Sequence, residues 1–434
     1  MASYLIQGGH RLEGEHKVQG AKNSALPILA ATVAARGECV VRRCPDLSDV
    51  RATLAILEHL GCKVKHEAGA IAVDSSNLNS CEIPGWLMRE MRSSIVFLGP
   101  LLSAMGCANL SFPGGCEIGE RPIDMHLEAM RALGVRVIEE GGRLRCDARG
   151  GLKGARCSLY FPSVGATENL MLAASTARGV TVLTNAAREP EIVDLAQFMN
   201  ACGAKIHGAG EGTLVIEGVE RLHGAEHTVI PDRITAVTFL CAAAATGGEI
   251  LLRGVEPGHM DSMLSVLEQA GCRLRRAEKD RLYLTLTGRP RRLPTVRTMP
   301  YPGFPTDAQA AFMTLAALAD GTSIITETIF ENRFRHVSQL RRMGAFIRVE
   351  GRVAVVEGRR FLQGAEVDAC DLRAGAALVL AGLAAQGETR VRQIRHVDRG
   401  CERFEEDLRL LGAKIIREED DLGQADGETS QTIR

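Results

Sequence analysis

Aromatic residues are scarce in this 434-residue chain: 4% of the total, with Trp86 the single tryptophan. Proteins that stack single-stranded bases depend on such rings, so that class is disfavoured. Neither sign of charge is in excess, 52 Lys and Arg standing against 53 Asp and Glu, which leaves no broad basic surface to track a phosphate backbone. No nucleic-acid partner is expected. The opening stretch, MASYLIQGGHRLEGEHKV, lacks a basic segment followed by an apolar one, and the long apolar runs elsewhere are Ala/Gly-rich with polar interruptions. No membrane partner is expected, and the reading is cytoplasmic.

Metal and nucleotide signatures are missing as well. The 13 cysteines are an odd number without any CxxC, and the closest pair, Cys39 and Cys44, lacks ligand spacing, which speaks against a zinc site or a disulfide framework. There is no GxxxxGK[ST], and GAGEGT lacks the GxGxxG spacing, so a P-loop kinase and a dinucleotide dehydrogenase are disfavoured. His223 and His227 stand four apart in RLHGAEH but lack the glutamate of HExxH; they read as surface histidines.

What the chain does have is ordinary globular composition, 45% hydrophobic and 24% charged, at a length that predicts two or three domains and a cleft between them. It also repeats itself. An apolar helix closed by glycine and followed by a β-rich run occurs six times, ending at Gly37, Gly106, Gly179, Gly247, Gly321 and Gly387. A second marker, a helix turning through glycine into a strand, occurs at Gly61, Gly134, Gly203, Gly271, Gly344 and Gly412. Both keep a period of about 70 residues, too long for a solenoid unit and right for a small α/β subdomain. The prediction is six βαβαβ-type units, three per domain, with a boundary near Pro231 and a polar acidic tail over 419–434.

The first helix of each unit is apolar around its circumference and should be buried. Its N-terminus carries unpaired N–H groups and partial positive charge, a natural place for anions. The residues there are Lys22 with Asn23, Arg92, Ser163-Val164-Gly165, Arg233, Asp307, and Asp371 with Arg373. Ser163, Asp307 and Asp371 suit helix caps, whereas the cations Lys22, Arg92 and Arg233 oppose the dipole, a conflict that a bound polyanion would resolve. A second recurring slot holds Arg121, Arg188 with Glu189, Arg333 and Arg399; the planar guanidinium fork suits carboxylate and phosphate. Cys116 lies in a glycine-flanked loop, PGGCEIGER, where nearby cations would favour the thiolate.

From about Tyr4 to Arg417 the chain resembles the UDP-N-acetylglucosamine 1-carboxyvinyltransferases. The resemblance rests on motifs in order: GAKNSALPI, MRSSI, PGGCEIGERPIDMH, SVGAT, AAREPEIVD, IPDRI, FPTDAQA, TETIFENRF, DLRAGAALVLAG and HVDRGCERF. It implies the enolpyruvyl transferase fold, two inside-out α/β domains of three units each, with helices inside and sheets outside. The divisions expected are 21–231, then 1–20 together with 232–418, so that the chain crosses twice between domains.

The resemblance implies two substrates, phosphoenolpyruvate and UDP-N-acetylglucosamine, with no metal or organic cofactor, and the first committed step of peptidoglycan precursor synthesis. Lys22, Arg121 and Arg399 would engage the phosphate of phosphoenolpyruvate, Arg333 and Arg373 its carboxylate, and Arg92 and Asn23 would complete that site. Asn23, Arg92 and Asp307 would face the amino sugar, Arg121, Pro122, Ile123, Asp124 and Met125 the uridine side, Ser163, Val164 and Gly165 the diphosphate, and Ile329 the sugar. Asp307 would be the base for the 3′-hydroxyl and Cys116 the proton donor to C3, the position that marks fosfomycin sensitivity. Two alternatives stay open: the sister enzyme acting on shikimate 3-phosphate, which typically carries GSKS where this chain has GAKN, and a non-catalytic paralogue that binds UDP-sugars.

Overall fold

In a computed structural model that describes residues 2–67, 69–112 and 122–419, six four-stranded sheets surround two sets of buried helices. Every sheet repeats one pattern: a parallel edge pair followed by two antiparallel neighbours. In the first, Glu226–Thr228 runs parallel to Glu38–Arg42, which pairs antiparallel with Ala70–Asp74, itself antiparallel to Lys63–Glu67. The second marker glycines explain part of the recurrence. Gly61 and Gly412 have φ of +97° and +96°, and the other four share this left-handed region, which residues with a Cβ adopt only at a cost.

Strands such as Glu38–Arg42, Val180–Thr184 and Glu249–Arg253 alternate exposed and buried residues, so each sheet has one wet face and one face on the helices. Those helices are α1 (Lys22–Ala35), α2 (Leu98–Met105), α3 (Val164–Ala174), α4 (Arg233–Thr246), α5 (Gln309–Leu318) and α6 (Leu372–Ala384). α1, α4, α5 and α6 are buried along nearly their whole length, as expected from their all-apolar circumference, α3 from Ala166 onward and α2 over Leu98–Leu102. Small residues permit the packing: a Cβ on Gly99 of α2 would lie 2.4 Å from the Asn169 carbonyl oxygen of α3, so this approach requires glycine.

Helices α1 to α3 pack together and α4 to α6 pack together, giving two apolar cores. One runs from Ala21 to Val229; the other joins Tyr4–Val18 to Ile234–Ile415. The N-terminal strands belong to the second: Ser3–Gln7 sits between Glu388–Arg392 and Lys414–Glu418, and Glu13–Lys17 lies beside Glu249–Arg253. The chain therefore passes between the cores twice, and the two passages lie side by side. Ala21 N–H donates to the Ile230 carbonyl at 2.8 Å and Asp232 N–H to the Gln19 carbonyl at 3.0 Å. This places the starts of α1 and α4 together at the mouth of one cleft. Residues 420–434 of the expected tail lie outside the described part of the chain.

Candidate active site in the cleft between the two cores

A cavity of about 670 Å³ opens where the two cores meet, the order of size of a ligand site. Lys22, Asn23, Pro122, Ile123, Met125, Ser163, Val164 and Gly165 line it from the first core, and Asp307, Ile329, Arg333, Arg373 and Arg399 from the second. Asp124 is not part of that wall; its Oδ2 accepts from the Tyr160 hydroxyl at 2.8 Å. Cys116 and Arg121 lie outside the described residues, as does the side chain of Arg92, whose backbone starts the 3₁₀ segment Arg92–Phe97.

The helix starts build the floor. The start of α1 presents N–H groups without partners inside the helix, as any helix start does, and Pro27, inside its second turn, has no N–H to offer the Asn23 carbonyl. Ser163 caps α3, accepting from Ala166 N–H at 3.3 Å, and Asp371 caps α6, accepting from Arg373 and Ala374 N–H at 2.9 and 3.0 Å. Asp232, which the sequence reading passed over, caps α4 and also accepts from Lys22 N–H at 3.2 Å across the crossing.

Asp307 departs from the expectation of a cap. It sits in the 3₁₀ turn Thr306–Ala308 and makes no capping bond. Its carboxylate instead accepts from Arg333 Nη2 at 3.1 Å on Oδ1 and from Arg373 Nη2 at 2.9 Å and Nε at 3.2 Å on Oδ2. Burial by itself would raise its pKa; the Arg373 and Arg333 guanidiniums, with Lys22 beyond them, outweigh that and hold the carboxyl below its usual range. The side chain remains 28% exposed, open to the cavity, whereas Arg333 and Arg373 are almost wholly buried.

The cations at helix starts were expected to call for a bound polyanion, but protein carboxylates already answer two of them. Lys22 Nζ lies 3.2 Å from Asp49 Oδ2, and the same carboxylate receives Arg399 Nε at 2.9 Å on Oδ1. Burial lowers the Lys22 pKa, with Asp49 opposing the effect. Arg233 is held by Glu191 through two bonds, 3.0 and 3.2 Å. Asp49 was not foreseen, its only local signal being an acid in the first turn of helix Ser48–His59.

Further carboxyls line the same cavity. Glu168, one turn into α3, and Glu189 both line the cavity, and burial pushes both carboxyls up, assisted for Glu168 by the nearby Glu191 and Glu189. Glu189 Oε1 accepts from Tyr301 N–H at 3.3 Å, another contact between the two cores. His227, expected at the surface, instead bonds Asp194 at 2.7 Å with 13% of its side chain exposed; the neighbouring helix Pro190–Ala201 covers it.

Among the described residues no helix is long and apolar enough to cross a membrane, no group of three or more His, Cys, Asp or Glu could hold a metal ion, and the twelve cysteines are free. The cleft thus offers guanidinium forks and an ammonium for anionic groups, and a carboxylate held ionised with one face open to a ligand hydroxyl.

The family model for EPSP synthase (3-phosphoshikimate 1-carboxyvinyltransferase) matches residues 6–408. A UDP-N-acetylglucosamine 1-carboxyvinyltransferase 2 from Caldanaerobacter subterraneus subsp. tengcongensis is 50% identical over 417 residues, covering 96% of this chain and all of the relative. A UDP-N-acetylglucosamine 1-carboxyvinyltransferase 1 from Symbiobacterium thermophilum is 51% identical, covering 95% of both chains. Among solved structures, the enolpyruvyl transferase NikO from Streptomyces tendae superposes with a TM-score of 0.86 at 27% identity, covering 96% of this chain and 98% of NikO. EPSP synthase from Acinetobacter baumannii, at 20% identity and TM-score 0.74 over 96% of this chain and its own full length, shares the fold. The six-sheet architecture is therefore the enolpyruvyl transferase fold, and the chain belongs to the EPSP synthase family, among its UDP-N-acetylglucosamine 1-carboxyvinyltransferases.

Proposed function

We infer that this protein transfers the enolpyruvyl group of phosphoenolpyruvate to the 3′-hydroxyl of UDP-N-acetylglucosamine with release of phosphate. The observation that carries the reading is about 50% identity to transferases of that name along almost the entire chain. The cleft chemistry is consistent with it. The transfer needs cations for phosphate and carboxylate, a base beside a hydroxyl, and an acid near C3.

In this reading Asp307 takes the proton of the 3′-hydroxyl as the oxygen attacks C2, and Cys116 delivers a proton to C3, giving a tetrahedral ketal. Loss of a C3 proton and of phosphate then restores the vinyl ether. Lys22, Arg121 and Arg399 hold the phosphate, Arg333 and Arg373 the carboxylate, with Arg92 and Asn23 beside them; Pro122, Ile123, Asp124, Met125, Ser163, Val164, Gly165, Asp307 and Ile329, with Asn23, Arg92 and Arg121, receive the UDP-sugar. Support for these assignments lies in the open face of Asp307 between Arg333 and Arg373 and in the neighbouring Lys22 and Arg399. Because these cations are divided between the two cores, ligand binding would draw 21–231 toward 1–20 plus 232–418 and exclude water. The reading includes no metal or organic cofactor and puts the reaction in the cytoplasm, at the entry to peptidoglycan precursor synthesis.

Carrying the reaction out in D₂O tests the addition–elimination course. The ketal methyl group would take one deuteron from solvent, so mass spectrometry should find deuterium at C3 of the enolpyruvyl product. A product formed without deuterium would refute that course, and no product at all would leave a UDP-sugar-binding paralogue.

A further inference from the structure

Glu327 follows the strand Thr322–Thr326, is 1% exposed, and lies behind the cavity wall rather than in it. Its carboxylate gathers donors from three separate segments. Oε1 accepts from Thr298 Oγ1 at 2.9 Å, Ile329 N–H at 2.8 Å and Phe330 N–H at 3.1 Å, while Oε2 accepts from Thr306 Oγ1 at 2.9 Å. Nothing about ending a strand requires a carboxyl here, and burying one costs free energy unless its hydrogen bonds are made. Two of the segments it ties together are walls of the cavity: the turn Thr306-Asp307 and the loop Ile329-Phe330.

We propose that Glu327 is a positioning residue for the transfer, locking the Asp307 turn to the loop that carries Ile329 and leads to Arg333. The connection is short. Thr306 offers its hydroxyl to Glu327 and its carbonyl to Arg333, whose Nε and Nη2 both approach at 3.4 Å. Arg333 in turn donates to Asp307 Oδ1 at 3.1 Å. A loosened Thr306 would let Asp307 and Arg333 rotate together away from the acceptor hydroxyl, and small errors of position at a reacting centre cost rate steeply. No step of the chemistry passes through Glu327, which acts by holding others.

The inference rests on the function proposed above, and three variants test it: Thr306→Val, Glu327→Ala and Glu327→Gln. Thr306→Val removes only the Oε2 bond, and should lower kcat by a factor of about 10, with a loss of a few degrees in Tm from the unsatisfied carboxylate oxygen. Glu327→Ala should lower kcat by about 100-fold and speed amide exchange at Ile329 and Phe330. Glu327→Gln keeps the Oε1 acceptor and can donate to Thr306 Oγ1, so it should stay within about 3-fold of the parent enzyme. Unchanged kcat in Thr306→Val overturns the proposal even if Glu327→Ala does not fold, and so does a glutamine variant as slow as a folded alanine one. An inactive parent enzyme would instead refute the assigned function; the amide exchange then still decides whether Glu327 holds the loop.

Discussion

Asp49 and Arg399 are 350 residues apart in sequence, yet Arg399 Nε donates to Asp49 Oδ1 at 2.9 Å, one from each core, with Lys22 on the other carboxylate oxygen. The pair ties the two halves together at the place where phosphate is proposed to bind. Asp49→Asn keeps the shape and removes the charge, leaving Lys22 and Arg399 to repel each other. A fully buried pair broken this way costs about 3–5 kcal/mol. Arg399 is 37% exposed, so water screens part of the loss and about 2 kcal/mol is expected. Urea unfolding measures it, and a change under about 0.5 kcal/mol would mean the pair is no clamp.

Glu191→Ala should be worse. Glu191 and Arg233 are 4% and 9% exposed and share two hydrogen bonds, so the orphaned guanidinium has little water to turn to. The loss should approach about 3–5 kcal/mol, and the same unfolding experiment should rank it above Asp49→Asn.

The carboxyls of Asp49 and Asp307 are held below their usual range. For both, burial acts upward and is outweighed, by Lys22 and Arg399 for Asp49 and by Arg373 and Arg333 for Asp307. A folded pKa below the unfolded value of about 3.9 means stability present above that pH and lost as pH falls through the folded value. The stability gap between parent and Asp307→Asn should therefore shrink below about pH 4.

Glu168 has the opposite sign. Burial, followed by Glu191 and Glu189, raises its pKa well above the ordinary carboxyl value. Its stability contribution is thus complete at acid pH and declines as pH rises from the unfolded value toward the folded one. Glu168→Gln should match the parent near pH 4 and exceed it in Tm at pH 7, with thermal unfolding at the two pH values as the check. Equal Tm at both would contradict the shift.

Asp307→Ala should cost about 10²–10⁴ in kcat, the scale of a general base. Because the carboxylate stays ionised well into acid, it should contribute no inflection to kcat/KM between pH 5 and 8. Single-turnover measurements across that range would reveal one if Asp307 titrated there.

What could be read in advance divides along a physical line. The six units were legible because their markers are local: a left-handed glycine such as Gly61 and an Ala-rich helix such as α4 announce themselves within a few residues. Lys22, Asn23 and Ser163 to Gly165 were found at helix starts for the same reason. Asp49, Glu191 and Glu327 escaped because Arg399, Arg233 and Thr306, the partners that tie them to other segments, lie 350, 42 and 21 residues away, and which acid meets which donor is decided by packing of the units. The carboxylates that meet Lys22 and Arg233 in the folded chain, Asp49 and Glu191, were hidden for the same reason. Asp307 was misjudged as a cap because Asp before an apolar helix normally is one; two arginines compete for it and win.

Phosphate release from phosphoenolpyruvate, followed separately with UDP-N-acetylglucosamine and with shikimate 3-phosphate as acceptor, tests the central claim most directly. Turnover with the UDP-sugar and none with shikimate 3-phosphate is the predicted result. Release with shikimate 3-phosphate alone would contradict the account and move the chain to the sister activity of its family.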